Sequence, residues 1–110
     1  NPAYAWFSGN SKNKTHIGSD HDTKANAFGL VDMCGNVWEW VEDDYANRYS
    51  GQKTEKPFES SRSERLKVIR GGGWYDKDRS YMTSTTREEF HPKTKSGSTG
   101  FRVVVTVKVK

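Results

Sequence analysis

The clearest pattern of apolar and polar positions lies at the end of the chain. From Phe101, the residues Phe101, Val103, Val105, Val107 and Val109 fall on one side of an extended backbone. Arg102, Val104, Thr106, Lys108 and Lys110 fall on the other. This alternation predicts a half-buried strand with a largely solvated outer face, Val104 excepted. A second alternation, Val37-Trp38-Glu39-Trp40-Val41, sets both tryptophans opposite Val37, Glu39 and Val41, and its β-branched and aromatic content favours a strand. Leu66-Lys67-Val68-Ile69-Arg70 reads as a short strand stopped by Gly71-Gly72-Gly73, where a positive φ or a close backbone approach is expected. Asn1 to Lys24 is polar loop around one anchor, Tyr4-Ala5-Trp6-Phe7, and Ala46 to Arg65 is a polar, turn-prone surface loop. There is no internal repeat, and no helix longer than a turn or two is expected.

Composition sharpens this picture. The 110 residues allow one small domain, and Leu, Ile, Val and Phe together make only about 16% of it. So few aliphatics with a high net charge would suggest disorder, but the net charge is only +4. Trp 4, Tyr 5 and Phe 5 supply the missing core, because each large ring buries roughly 150–250 Å². Trp38 and Trp40 are expected in that core. The pI near 9.2 does not point to nucleic acid, because the cations are interleaved with Asp and Glu along the chain. The nearest approach to a basic stripe is Lys93, Lys95, Lys108 and Lys110, which reads as a solvated face. No run approaches the roughly 20 apolar residues of a membrane span, and no signal-peptide pattern opens the sequence. The single cysteine, Cys34, excludes an intrachain disulfide and a polythiolate zinc site, and fixes no redox compartment.

Three blocks of residues carry a resemblance. They are Asn26-Ala27-Phe28-Gly29-Leu30-Val31-Asp32-Met33-Cys34-Gly35-Asn36-Val37-Trp38-Glu39-Trp40, then Ile69-Arg70-Gly71-Gly72-Gly73-Trp74 with Arg79-Ser80, then Gly100-Phe101-Arg102-Val103-Val104. In this order and spacing they resemble the formylglycine-generating enzymes, or sulfatase-modifying factors. The resemblance implies an α+β, C-type-lectin-like fold of short strands and much irregular structure. Residues 1–110 match the C-terminal part of such a domain. The expected partner is therefore the remaining N-terminal part or another protein chain, contacted over more than roughly 1,000 Å². The expected setting is a larger exported or surface-associated protein.

The generating enzymes hold copper(I) on two cysteines, five positions apart, after the Arg-Gly-Gly motif; soft thiolates suit that ion. Here the resemblance sets Met82 and Arg87 at those positions, and no cysteine occurs from Trp74 to Lys110. No copper is expected, and a non-catalytic role follows. The alternative is an enzyme of the wider family whose catalytic residues lie on other sequence or a partner chain. His16, His21 and His91 are too scattered for an iron site, and Asp20-His21-Asp22 reads as polar loop. The stretch Trp74 to Arg102 also resembles, in position, the variable region of retroelement-diversified binding proteins. Lys77, Met82, Glu88, Glu89, Lys93 and Lys95 argue against active diversification, because adenine mutagenesis of pyrimidine-ending codons does not yield them.

The resemblance also implies a structural calcium ion held by side-chain oxygens of Asp32 and Glu39 and by the carbonyls of Gly35 and Val37. Calcium takes about 6–8 oxygens, so this set with waters is chemically apt. By themselves, Asp32 reads equally as a turn cap and Glu39 as the partner of a base. A candidate face for a polar ligand or protein comprises Trp74, Tyr75, Asp76, Arg79, Tyr81, Arg87 and Glu88, with a solvated loop as the alternative. Arg70 and Arg102 are expected to bond carbonyls or carboxylates beside the glycine turn.

Overall fold

A computed structural model describes residues 5–18, 24–46, 59–60, 65–77 and 79–109. Two small sheets organise it. In the first, β1 (Ala5–Trp6) runs parallel to β2 (Cys34–Gly35), with Ala5 opposite Cys34 and Trp6 opposite Gly35. The second has the order β5-β4-β3-β6 and is built on β3 (Trp38–Asp44). β4 (Lys67–Arg70) pairs antiparallel with β3, setting Glu39 opposite Arg70 and Trp40 opposite Ile69, with a register shift before Asp44 meets Lys67. β5 (Arg87–Phe90) extends the sheet antiparallel to β4, and β6 (Thr99–Gly100) lies parallel to β3 at Trp38 and Glu39. The described elements are these strands and one 3-10 turn, Arg79–Met82.

The strands expected around Val37–Val41 and Leu66–Arg70 are present as β3 and β4. Val68 and Ile69 are both buried, so the two faces of β4 are covered, as suits an inner strand. With Ala5, Trp6 and Trp38 they form the apolar core. Trp40 is half-buried and meets Phe90 of β5 edge-on, ring centroids 5.9 Å apart. The glycine turn does what three glycines permit: Gly71 and Gly72 take φ of 103° and 75°. Gly35 is more constrained still. Its φ is 78°, and a Cβ there would lie 2.4 Å from the Trp6 carbonyl oxygen, so only glycine lets β1 and β2 approach.

The C-terminal strand expected from Phe101 to Val109 does not form. Only Thr99 and Gly100 pair with β3; residues 101–109 belong to no strand, and Phe101 and Val103 are 75% and 80% exposed. The reason is hydrogen bonding: a strand needs a neighbour for its N–H and C=O groups, and none lies beside this segment among the described residues. Most of the loop Ala46 to Arg65, and Asp20-His21-Asp22, lie outside the described residues.

The far end of β3 is tied to β4 by charge. The Asp44 side chain is 1% exposed; Oδ1 lies 2.7 Å from the Lys67 ammonium and Oδ2 accepts the Ser60 N–H at 2.7 Å. Lys67 and then Ser60 hold its carboxyl below the usual carboxylate range, against the opposing effect of burial. A depressed folded-state pKa contributes stability that is present above the unfolded value and is lost as pH falls through the folded one. Asp44→Asn is therefore expected to cost about 1–2 kcal/mol near neutral pH. Urea unfolding of parent and variant across pH checks this, and the gap should close below roughly pH 4.

Candidate functional site

The middle motif forms a junction rather than a simple strand. Asn36 follows Gly35 at φ 67°, a left-handed conformation that asparagine tolerates better than most residues. Its backbone N–H donates to the Trp6 carbonyl at 2.7 Å, and its carbonyl accepts the Trp74 N–H at 2.8 Å. Its side chain closes on one residue from both directions. Oδ1 accepts the His16 N–H at 2.9 Å, and Nδ2 donates to the His16 carbonyl at 3.0 Å. A longer contact, 3.4 Å, runs from Nδ2 to Asp32 Oδ2. His16 is thereby held flat against Trp6, ring centroids 3.7 Å apart and planes 7° from parallel, while its Nε2 lies 2.7 Å from the Ser11 carbonyl.

Beside this junction sits a charged cluster. Arg102 clamps Glu39: Nε lies 2.9 Å from both carboxylate oxygens and one terminal nitrogen lies 2.5 Å from Oε1. That terminal nitrogen also donates to the carbonyls of Val31 and Asp32, each at 3.1 Å. The expectation that Arg102 bonds carbonyls and a carboxylate holds, and Glu39 does pair with a base. The pairing, with burial opposing it, raises the Arg102 pKa. Arg70 instead reaches Ser84, its terminal nitrogen 3.0 Å from that carbonyl. Asp32 is buried at φ 56°, and its Oδ1 has no hydrogen-bond partner among the described residues. Burial pushes its carboxyl upward, Arg102 pulls it down, and the neighbouring Glu39 adds to the rise. Of the calcium set named from the sequence, the structure thus brings Asp32 and Glu39 into one electrostatic cluster on the β2–β3 corner that carries Gly35 and Val37. No group of three or more His, Cys, Asp or Glu side chains that could hold a metal occurs among the described residues.

The candidate face after the glycine turn divides. Trp74 and Tyr75 form an edge-to-face pair at 5.5 Å, with Trp74 Nε1 donating to the Gly97 carbonyl at 3.3 Å and Tyr75 about half exposed. Asp76 does not join them on the surface. It is buried, and its Oδ2 accepts the Trp38 indole N–H at 2.8 Å and the Gly73 N–H at 2.6 Å. A carboxylate placed there satisfies the one polar atom of the buried Trp38. Tyr81 stands edge-on to Trp38 at 6.3 Å and stays partly exposed. Arg87 and Glu88 lie on β5, opposite Arg70 and Ile69, and the Arg87 guanidinium sits 4.7 Å from the Tyr45 ring centroid. The Arg79 backbone opens the 3-10 turn; its side chain lies outside the described residues.

Met82, set by the resemblance at one family cysteine position, is adjacent to the chain's single thiol. Cys34 Sγ donates to the Met82 carbonyl at 3.2 Å, and burial raises its pKa. Sequence reasoning missed Asn36 and His16. Asn36 stood inside the quoted motif, where an asparagine between a glycine and a β-branched residue was itself the signal for a left-handed corner. His16 carried no such signal.

The family profile described as sulfatase-modifying factor enzyme 1-like domain matches residues 2–107. The chain is 35% identical over 88 residues to a protein named serine/threonine-protein kinase pkn1 of Chlamydia caviae, covering 76% of this chain and 14% of that one. It is 30% identical over 82 residues to the formylglycine-generating enzyme of Streptomyces coelicolor, covering 72% of this chain and 26% of the enzyme. Among solved structures, Treponema denticola variable protein 1 superposes with a TM-score of 0.77 at 34% identity, over 90% of this chain and 34% of that one. The matched region is thus a minor part of each of these longer proteins, and the chain belongs to the sulfatase-modifying factor enzyme 1-like family.

Proposed function

We propose that this chain is a non-catalytic binding or structural module of its family, in an α+β, C-type-lectin-like domain. One observation carries the reading: no cysteine follows Arg70-Gly71-Gly72-Gly73, and Met82 and Arg87 stand where the resemblance sets the copper-binding pair. Copper(I) chemistry of that kind needs soft, ionised sulfur. The one thiol present, Cys34, is half-buried, hydrogen-bonded to a carbonyl and shifted away from ionisation. Tyr75 and Tyr81, both partly exposed near the glycine turn, are the better candidates for contact with a polar ligand or protein. The second reading, an enzyme completed by residues on other sequence or a partner, is favoured by the likeness to the Streptomyces coelicolor enzyme. The two separate in a copper-dependent oxidation assay on a cysteine-containing peptide. The chain alone should give no formylglycine, and turnover would overturn the module reading.

Calcium is the cofactor this module is proposed to hold. Asp32 fits: a buried carboxylate oxygen without a partner among the described residues is what a hard cation would complete. Glu39 shares the cluster: Oε1 already accepts two bonds from Arg102, and Oε2, which accepts one, keeps a lone pair for a second cation. Gly35 and Val37 would add carbonyls, as the resemblance implies. When bound, the ion would supply positive charge that offsets the two buried or half-buried acids; Arg102 supplies part of that charge already. Calcium at 100 times its dissociation constant should stabilise the fold by about 2.7 kcal/mol. For a domain of this size that is a rise of about 10–20 °C in Tm, and magnesium should give less. A chelator should reverse it. Asp32→Asn and Glu39→Gln should blunt the calcium-induced rise, whatever their own melting points. A rise of equal size in both variants would remove these residues from the site.

A further inference from the structure

Arg102 answers the two acids of the β2–β3 corner unequally. Its guanidinium gives three bonds to Glu39, from Nε to both carboxylate oxygens and from a terminal nitrogen to Oε1. The same terminal nitrogen donates to the carbonyls of Val31 and Asp32 at 3.1 Å each. One side chain thus ties β3 to the backbone leading into β2 and neutralises Glu39 as it does so. The Asp32 carboxylate receives none of these bonds. Its Oδ2 has the 3.4 Å contact with Asn36, and its Oδ1 has no partner among the described residues. The corner therefore holds one acid satisfied by a cation and one buried acid left for another.

We propose that Arg102 is a tethered counter-ion: it keeps this corner closed without calcium, and it competes with calcium for Glu39 and so lowers the ion's affinity. The inference rests on the calcium reading for its ligand and goes beyond it in giving Arg102 a part. Coordination is the first support. Calcium can take a carboxylate through both oxygens. Here Oε1 already accepts two bonds from Arg102 and only Oε2 keeps a lone pair, so the ion meets Glu39 through one oxygen or displaces the guanidinium. Charge is the second. A guanidinium and an ion on one carboxylate lie within the roughly 8 Å over which physiological salt screens charge, so their repulsion is little attenuated. Without the ion the same positive charge is an asset, because Glu39 and buried Asp32 would otherwise repel across the corner.

Calcium titration of the full chain and two variants is the test. Arg102→Met removes the charge and keeps an unbranched stem. Arg102→Lys keeps the charge but loses the fork that holds two oxygens and two carbonyls together. In chelator both variants should melt below the parent chain. By calorimetric titration, calcium should bind Arg102→Met about ten-fold more tightly than the parent, and Arg102→Lys within about three-fold of it. Titrating all three in the same stabilising osmolyte keeps the loosened variants folded. Calcium binding by Arg102→Met alone would also support the proposal, with the tethered charge excluding the ion altogether. Equal or weaker binding by Arg102→Met, beside a parent chain that binds, would overturn it and leave the calcium reading standing. Melting points in chelator unchanged from the parent's would overturn it too. No binding by any of the three would overturn both readings.

Discussion

Asn36 holds this structure together because it uses every hydrogen-bonding group it has. Its backbone ties the first sheet, through Trp6, to the glycine turn, through Trp74, and its carboxamide grips both polar groups of the His16 backbone. A domain with so few aliphatic residues cannot rely on a large core, so loops must be fixed by directed bonds. The left-handed backbone at Asn36 makes this possible: it turns the chain between β2 and β3 so that one residue faces three segments at once. Gly35 is the precondition, because a side chain there would collide with the Trp6 backbone that Asn36 must reach.

The charged cluster is a consequence of the same corner. The turn brings Asp32 under the junction and sends Glu39 along β3, so two acids lie close, and burial pushes the Asp32 carboxyl upward. Arg102, planar and forked, answers one acid with its Nε edge and two carbonyls with a terminal nitrogen, which a lysine could not do. The arrangement fastens the end of the described sheet to its middle. Beyond Arg102 no strand lies beside the segment among the described residues, and the side chains of its apolar alternation are exposed.

Much of this was legible in the residues. β3 and β4 followed from alternation and from a short β-branched run, and the glycine turn from three residues without side chains. The three blocks indicated the family. Two features were not legible, for different reasons. The alternation from Phe101 to Val109 reports that the segment wants a neighbour, and period alone cannot say whether these 110 residues contain one. Asp76 looked like surface because it sits among Tyr75, Lys77 and Asp78, yet it is buried. The indole of Trp38, 38 residues earlier, needed an acceptor, and such a long-range requirement leaves no trace in local composition.

The most direct test of the hub compares two asparagine truncations. Asn26 also accepts two backbone N–H groups, from Phe28 and Leu30, but at the surface of a local loop. Asn36→Ala removes bonds that join distant segments and places alanine at a positive φ, so its expected cost is about 3 kcal/mol. Asn26→Ala should cost about 1 kcal/mol or less. Denaturant unfolding of both variants beside the parent chain measures the difference. A markedly larger loss at Asn36 is the predicted result, and equal losses at the two positions would contradict the account.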